Sequence, residues 1–152
     1  MTELQTPNAI LFLDFDGTIT RRDAVDVILE AYADPEWLRF ELEWREGRLG
    51  SRDCLRAQMG LVRASRGQLD TLLDEIEIDE GLIPLLEMCA AHNIPAHIIS
   101  DGFDYCIGRI LGRPDAPARG GVEGNLLARL NGSHVVSSRL RPDGWQVSAQ
   151  PR

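Results

Sequence analysis

Ala9-Ile10-Leu11-Phe12-Leu13 is a continuous apolar run that empties into Asp14-Phe15-Asp16-Gly17-Thr18. A short run of this kind reads as a strand covered on both faces, the sort found in the middle of a parallel sheet. It is therefore expected to be the central strand of an α/β fold. At its end, side chains two apart point the same way, so Asp14 and Asp16 can face one pocket while Phe15 packs behind them. Two carboxylates this close repel unless a shared proton or a cation intervenes. A hard divalent ion, Mg²⁺ above all, relieves that repulsion and can bridge to a phosphate. One carboxylate can then attack phosphorus while its neighbour handles the leaving group's proton. Gly17 is expected to let the backbone approach the ligand, and Thr18 to offer it a hydroxyl or an N–H.

Beyond this junction the pattern turns helical from Arg21 to about Ile78. Ala24, Val25, Val27, Ile28 and Ala31 cluster on one face of a first helix. Asp34-Pro35-Glu36 reads as a second helix start, with Asp34 as cap, and Trp37, Phe40 and Trp44 form an aromatic stripe before Gly47. That stripe is expected to be bundle core. Ser51 is expected to cap a third helix, and Leu69 to Ile78 to form a fourth. Residues 80–93 read as a helix and Pro95 to Ile99 as a second buried strand, ending in Ser100-Asp101-Gly102. A helix over 103–111 follows, closed by Gly112. Residues 114–132 read as an irregular connection with a short helix at 125–130, and 134–147 as a hairpin turning at Arg141-Pro142-Asp143-Gly144. The fold predicted is a parallel, Rossmann-like α/β core from residues 1–20 and 80–152. It carries an inserted helical cap over 21–79 and a C-terminal β-hairpin.

In such sheets ligands gather beyond the carboxyl ends of the strands, and both polar clusters lie there. At the second, the Ser100 hydroxyl and the N–H groups around Asp101 and Gly102 converge where an anion would be held. Composition narrows the partners. A net charge of -8 repels nucleic acid from most of the surface, while a small phosphorylated metabolite can still enter a local site. Cys54, Cys89 and Cys106 form no CxxC pair and read as packed thiols of a reducing compartment. No apolar run approaches the roughly 18 to 20 residues of a bilayer span, and residues 1–8 lack the pattern of a secretory leader. A cytoplasmic protein without membrane contact is expected.

Asp14-Phe15-Asp16-Gly17-Thr18 resembles the first motif of the haloacid dehalogenase-type phosphatases, and Ile98-Ile99-Ser100-Asp101-Gly102-Phe103-Asp104 resembles their second. The resemblance covers about residues 9–112. It implies Asp14 as nucleophile and Mg²⁺ ligand, and Asp16 as acid/base and backbone ligand of the metal. Ser100 would bind phosphate, with Thr18, Asp101 and Gly102 as neighbouring contacts. A helical insertion straight after the first motif resembles the mobile cap of the phosphoserine-phosphatase-like branch. Asp34-Pro35-Glu36-Trp37 and Ser100 to Asp104 resemble the methionine-salvage phosphatases within it. Where phosphoserine phosphatases carry a cap Glu and a cap Arg, this chain has Asp23 and Gln58.

The resemblance also implies a third motif with a Lys and a fourth with further carboxylates. All the basic residues here are Arg, and after Asp104 the acidic residues are Asp115, Glu123 and Asp143, none of them paired after an apolar strand. Truncation explains this more simply than substitution. A sheet without its later strands would expose an apolar edge and favour self-association. The alternative function is a phosphate-binding or regulatory protein that keeps the first half-site without turnover.

Overall fold

The computed structural model describes residues 9–112, 130, 134–141 and 145–149. Within them the chain runs β1 (Leu11–Leu13), α1 (Ala24–Tyr32), α2 (Trp37–Arg45), α3 (Ser51–Met59), α4 (Arg66–Asp74) and α5 (Leu82–Ala91). β2 (Ala96–Phe103), α6 (Asp104–Gly112), β3 (His134–Arg141) and β4 (Gln146–Ala149) complete it. The sheet order is β1-β2-β3-β4, parallel across β1, β2 and β3 and antiparallel between β3 and β4. The expected α/β class and the closing hairpin are thus both present. The turn expected at 142–144 and the short helix at 125–129 lie outside the described residues.

The sheet departs from expectation in one respect. β1 is an edge strand among the described residues, and only one of its faces is covered. Leu13 and Ile98 are in register on the inner face, where Ile98 is fully buried with Phe15, Phe103 and Ile107. On the outer face Ile10, Phe12 and Ile99 are about half exposed, at 52%, 57% and 50%. His97 lies beside Phe12 there, ring centroids 5.9 Å apart. An unbroken apolar run does not distinguish a strand covered twice from one covered once, and this is why the sequence reading placed β1 in the centre.

The four helices between β1 and α5 follow local sequence rules. Asp23 caps α1, its side chain accepting from the N–H groups of Val25 and Asp26. Ala24, Val25, Val27, Ile28 and Leu29 are buried, while Ala31 faces solvent. Asp34 accepts from the Glu36 N–H at 3.0 Å just before α2. Gly47, at φ +73°, takes the left-handed conformation that ends that helix. α4 opens on a reciprocal capping box of Ser65 and Gln68, three residues earlier than expected. Ser51 is not a cap but the first residue of α3, where its Oγ accepts from Trp44 Nε1 at 3.0 Å. Of the aromatic stripe, Trp37 packs partly buried against the core, while the rest of α2 does not enter it. α2 buries none of its residues, and Trp44 is 43% exposed.

Two chain crossings join this helical segment to the sheet. Residues 19–21 run beside 77–79: Asp79 N–H donates to Ile19 O at 2.8 Å, and Arg21 N–H to Glu77 O at 3.0 Å. Residues 77 and 78, expected to be helical, instead belong to this pairing, α4 having ended at Asp74. A second tie runs from α4 to α6. Arg109 Nε donates to Asp74 Oδ1 at 2.7 Å, and the Tyr105 hydroxyl bonds to Asp70. Trp145 Nε1 donates to Ala64 O at 2.9 Å, bringing the hairpin against the same helix start.

Candidate active site

The loop leaving β1 is built on one carbonyl and one hydroxyl. Phe15 O accepts from the N–H groups of Thr18, Ile19 and Thr20 at 3.2, 2.9 and 3.1 Å, folding the chain back on itself. Gly17, at φ +73°, takes the left-handed conformation that the turn requires. Thr20, 1% exposed, holds the turn from inside. Its Oγ1 accepts from the Gly17 N–H at 3.3 Å and donates to Arg22 O at 2.8 Å. The sequence reading passed over Thr20 in favour of Thr18, which is exposed and does not line the cleft described below.

This loop fixes both carboxylates. Asp14 Oδ1 accepts from the Phe15 N–H at 2.7 Å, and Asp16 Oδ1 from the Ala24 N–H at 2.8 Å. Asp16 thus sits at the start of α1, reached by a turn that only the folded loop defines. Its second oxygen lies over Gly102 of β2, so close that a Cβ there would stand 2.6 Å from Oδ2. The same Cβ would stand 3.2 Å from Ser100 Oγ, which accepts from the Gly102 N–H at 3.0 Å. β2 extends through Ser100, Asp101 and Gly102 to Phe103, with its register against β3 shifting between Ser100 and Phe103.

Asp16, Asp101 and Gly102 line one cleft of about 280 Å³ between the sheet end and the helical segment. Asp23 and Asp26 from the α1 start, Glu41 and Trp44 from α2, and Gln58 from α3 line it too. Ser100 lies beneath, 6% exposed, and Asp14 sits at the exposed strand end outside the cleft lining. Sequence reasoning had noted Asp23 and Gln58 by position but missed Asp26, Glu41 and Trp44. These face the cleft from helices whose mutual packing no local pattern specifies. Arg21 and Arg22 do not turn toward it. They pair with Glu77, Glu80 and Glu30.

Burial pushes the Asp16 carboxyl up to about 7, partly offset by the Ala24 N–H, and the charges of Asp23, Asp14 and Asp101 push the same way. A carboxyl near neutrality can both give and take a proton. The crowding of negative charge is what a hard cation would relieve. Asp14 and the Asp16 loop supply oxygen donors of the right kind. Among the described residues no three His, Cys, Asp or Glu side chains form a cage.

Comparison with known proteins bears on this geometry. The family model for haloacid dehalogenase-like hydrolases matches residues 11–142. The 2-hydroxy-3-keto-5-methylthiopentenyl-1-phosphate phosphatase of Geobacillus thermodenitrificans is 29% identical over 100 residues, covering 64% of this chain and 46% of that protein. The chain thus spans about half the length of the curated relatives it matches. Among solved structures, a phospho-aspartyl intermediate analogue of phosphoserine phosphatase superposes with a TM-score of 0.66 at 19% identity, over 95% of this chain and 64% of that one. A haloacid dehalogenase family hydrolase from Salmonella enterica serovar Typhi has a TM-score of 0.66 at 18% identity, over 93% of this chain and 44% of that one. No described helix is long and apolar enough to cross a membrane. A strand ending in Asp14-Phe15-Asp16-Gly17-Thr18, a parallel neighbour ending in Ser100-Asp101-Gly102 and a family match across both motifs together place the chain among the haloacid dehalogenase-like hydrolases.

Proposed function

We propose that this chain provides the nucleophile and the acid/base of a phosphomonoesterase acting on a small phosphorylated metabolite. The observation that carries the reading is the Asp16 carboxyl, anchored by the Ala24 N–H and lifted to about 7, two residues from an exposed Asp14 on the same strand end. An Asp14 oxygen attacks phosphorus, the P–O bond to the leaving alcohol breaks, and Asp16 gives that oxygen its proton, leaving an aspartyl-phosphate. Asp16, now a carboxylate, takes a proton from the water that attacks the phosphoryl group, releasing phosphate and restoring Asp14. Ser100 and the backbone around Gly102 hold the phosphoryl oxygens. Mg²⁺, held by Asp14 and the Asp16 loop, would supply positive charge against the phosphate and the attacking carboxylate.

Residues 21–79 serve in this reading as a cap on the core formed by 1–20 and 80–152, excluding water from the intermediate. Support comes from the two adjacent crossings at 19–21 and 77–79, which leave the four helices between them. The half-exposed outer face of β1 is proposed as a surface for self-association. Cytoplasmic residence accords with three buried, unpaired cysteines. Hydrolysis of an aryl phosphate with and without Mg²⁺, compared with Asp14→Asn, tests the reading. Metal-dependent activity abolished in the variant is the expected result. A folded chain that binds phosphate with no turnover would replace it by the phosphate-binding alternative.

A further inference from the structure

β2 and β3 do not keep step beyond Ser100. Ser100 is in register with Val136 and Phe103 with Ser138, so β2 spends three residues where β3 spends two. The extra residue makes a bulge at Asp101-Gly102, an irregularity that re-aims groups beside a site. Inside it the Gly102 N–H donates to Ser100 Oγ at 3.0 Å. The bulge has little latitude, since a Cβ on Gly102 would stand 2.6 Å from Asp16 Oδ2 and 3.2 Å from Ser100 Oγ.

Asp104 closes the far side of this bulge. β2 ends at Phe103, whereas β3 continues to Arg141. Leu140, 4% exposed, therefore lies past the last β2 pairing, where its N–H needs another acceptor. Asp104 Oδ1 supplies it at 3.1 Å and also accepts from the Tyr105 N–H, a donor of the first turn of α6, at 2.8 Å. One carboxylate oxygen thus ties the helix that follows the bulge to the strand that flanks it. Resting on the phosphatase reading above, we infer that Asp104 is a positioning residue for the phosphoryl group. By pinning the start of α6 to β3, it fixes where Ser100 and the Gly102 backbone meet the phosphoryl oxygens. Asp104 is not part of the cleft lining and acts through those two residues. Hydrogen bonds weaken steeply with misalignment, so a slack bulge loses phosphate.

Calorimetric titration of the full chain with inorganic phosphate in Mg²⁺ tests this, with the folding of each variant followed in urea. Asp104→Ala should weaken phosphate binding about tenfold, within the cost of a misplaced contact. Asp104→Asn keeps an acceptor for both N–H groups and should bind within about threefold of the native chain. Arg109→Met removes the ion pair to Asp74 from the same helix, and should lower stability while leaving phosphate affinity unchanged. Native affinity in Asp104→Ala, or an equal loss in Arg109→Met, overturns the inference and leaves the phosphatase reading standing. A loss in Asp104→Asn as large as in Asp104→Ala also overturns it, tracing the effect to charge instead of the two hydrogen bonds. Amide exchange in the native chain decides the matter if Asp104→Ala does not fold. Phosphate should slow exchange of the Leu140 N–H together with that of Gly102, and slowing at Gly102 alone overturns the inference. A native chain that binds no phosphate overturns the phosphatase reading and the inference with it.

Discussion

Gly102 lies so close beneath Asp16 that a β-carbon on it would stand 2.6 Å from Oδ2 of the carboxylate. The Asp16 side chain cannot simply swing away, because its other oxygen accepts from the Ala24 N–H and closes the start of α1. The absence of a side chain at 102 therefore sets the spacing between the β1 loop and the end of β2. Gly102→Ala should cost about 1–3 kcal/mol, the usual penalty for overpacking. It should also weaken phosphate binding through the displaced Ser100 hydroxyl, 3.2 Å from the same point. Urea denaturation and phosphate titration of the variant check this. Native-like values for both would mean the loop yields freely.

Asp16 also makes stability depend on pH. Its folded-state value, about 7 against an ordinary 3.8, favours the protonated form, so its stabilising contribution is fully present below about pH 4 and is lost as pH rises through 7. That difference corresponds to at most ~4 kcal/mol between pH 4 and pH 8. Asp16→Asn keeps an acceptor for the Ala24 N–H and removes the titration. In EDTA, the variant should therefore gain stability over the native chain at pH 8 and show little gain at pH 4. Excess Mg²⁺ should narrow the pH 8 gap by stabilising the native carboxylates. A gap that does not change with pH would remove Asp16 as the titrating group.

Thr20 is the buried counterpart of this arrangement. Its hydroxyl joins the Gly17 N–H to Arg22 O within the loop that aims Asp14 and Asp16. Thr20→Val preserves shape and removes the hydroxyl's bonds to the Gly17 N–H and Arg22 O, so a loss of about 0.5–1.5 kcal/mol is expected by chemical denaturation. Thr20→Ser should recover most of it. Equal losses in Ser and Val would assign the role of Thr20 to its methyl group.

The contrast between Thr20 and Thr18 shows what could be read from the chain. Both motifs were legible because their chemistry is local: carboxylates two apart at a strand end, and a hydroxyl and glycine at another. The α/β class followed from apolar runs alternating with helical periodicity. The place of Trp44 in the cleft wall was not legible. A Trp spaced three and four from other aromatics reads as core, and only the packing of α2 against α3 turns it to the cleft, with Ser51 as partner. Whether β1 is covered once or twice depends on elements far from it in sequence. No property of Ile10 or Phe12 specifies that.

The outer face of β1 supplies the last prediction. Ile10 and Phe12 lie about half exposed at β1, on the same face as the half-exposed Ile99 of β2, and the far edge of β1 pairs with no described strand, a surface that invites edge-to-edge pairing. Because these side chains bury little against their own chain, replacing one should leave folding stability within about 0.5 kcal/mol. Its effect should fall on association. Phe12→Lys places a charge on the edge strand and should shift the chain toward monomer at concentrations where the native protein forms larger species, as read by light scattering across a dilution series. If Phe12→Lys instead lowers the unfolding midpoint substantially, that face is covered within the chain's own fold. A native protein monomeric at every concentration would remove self-association through β1 altogether.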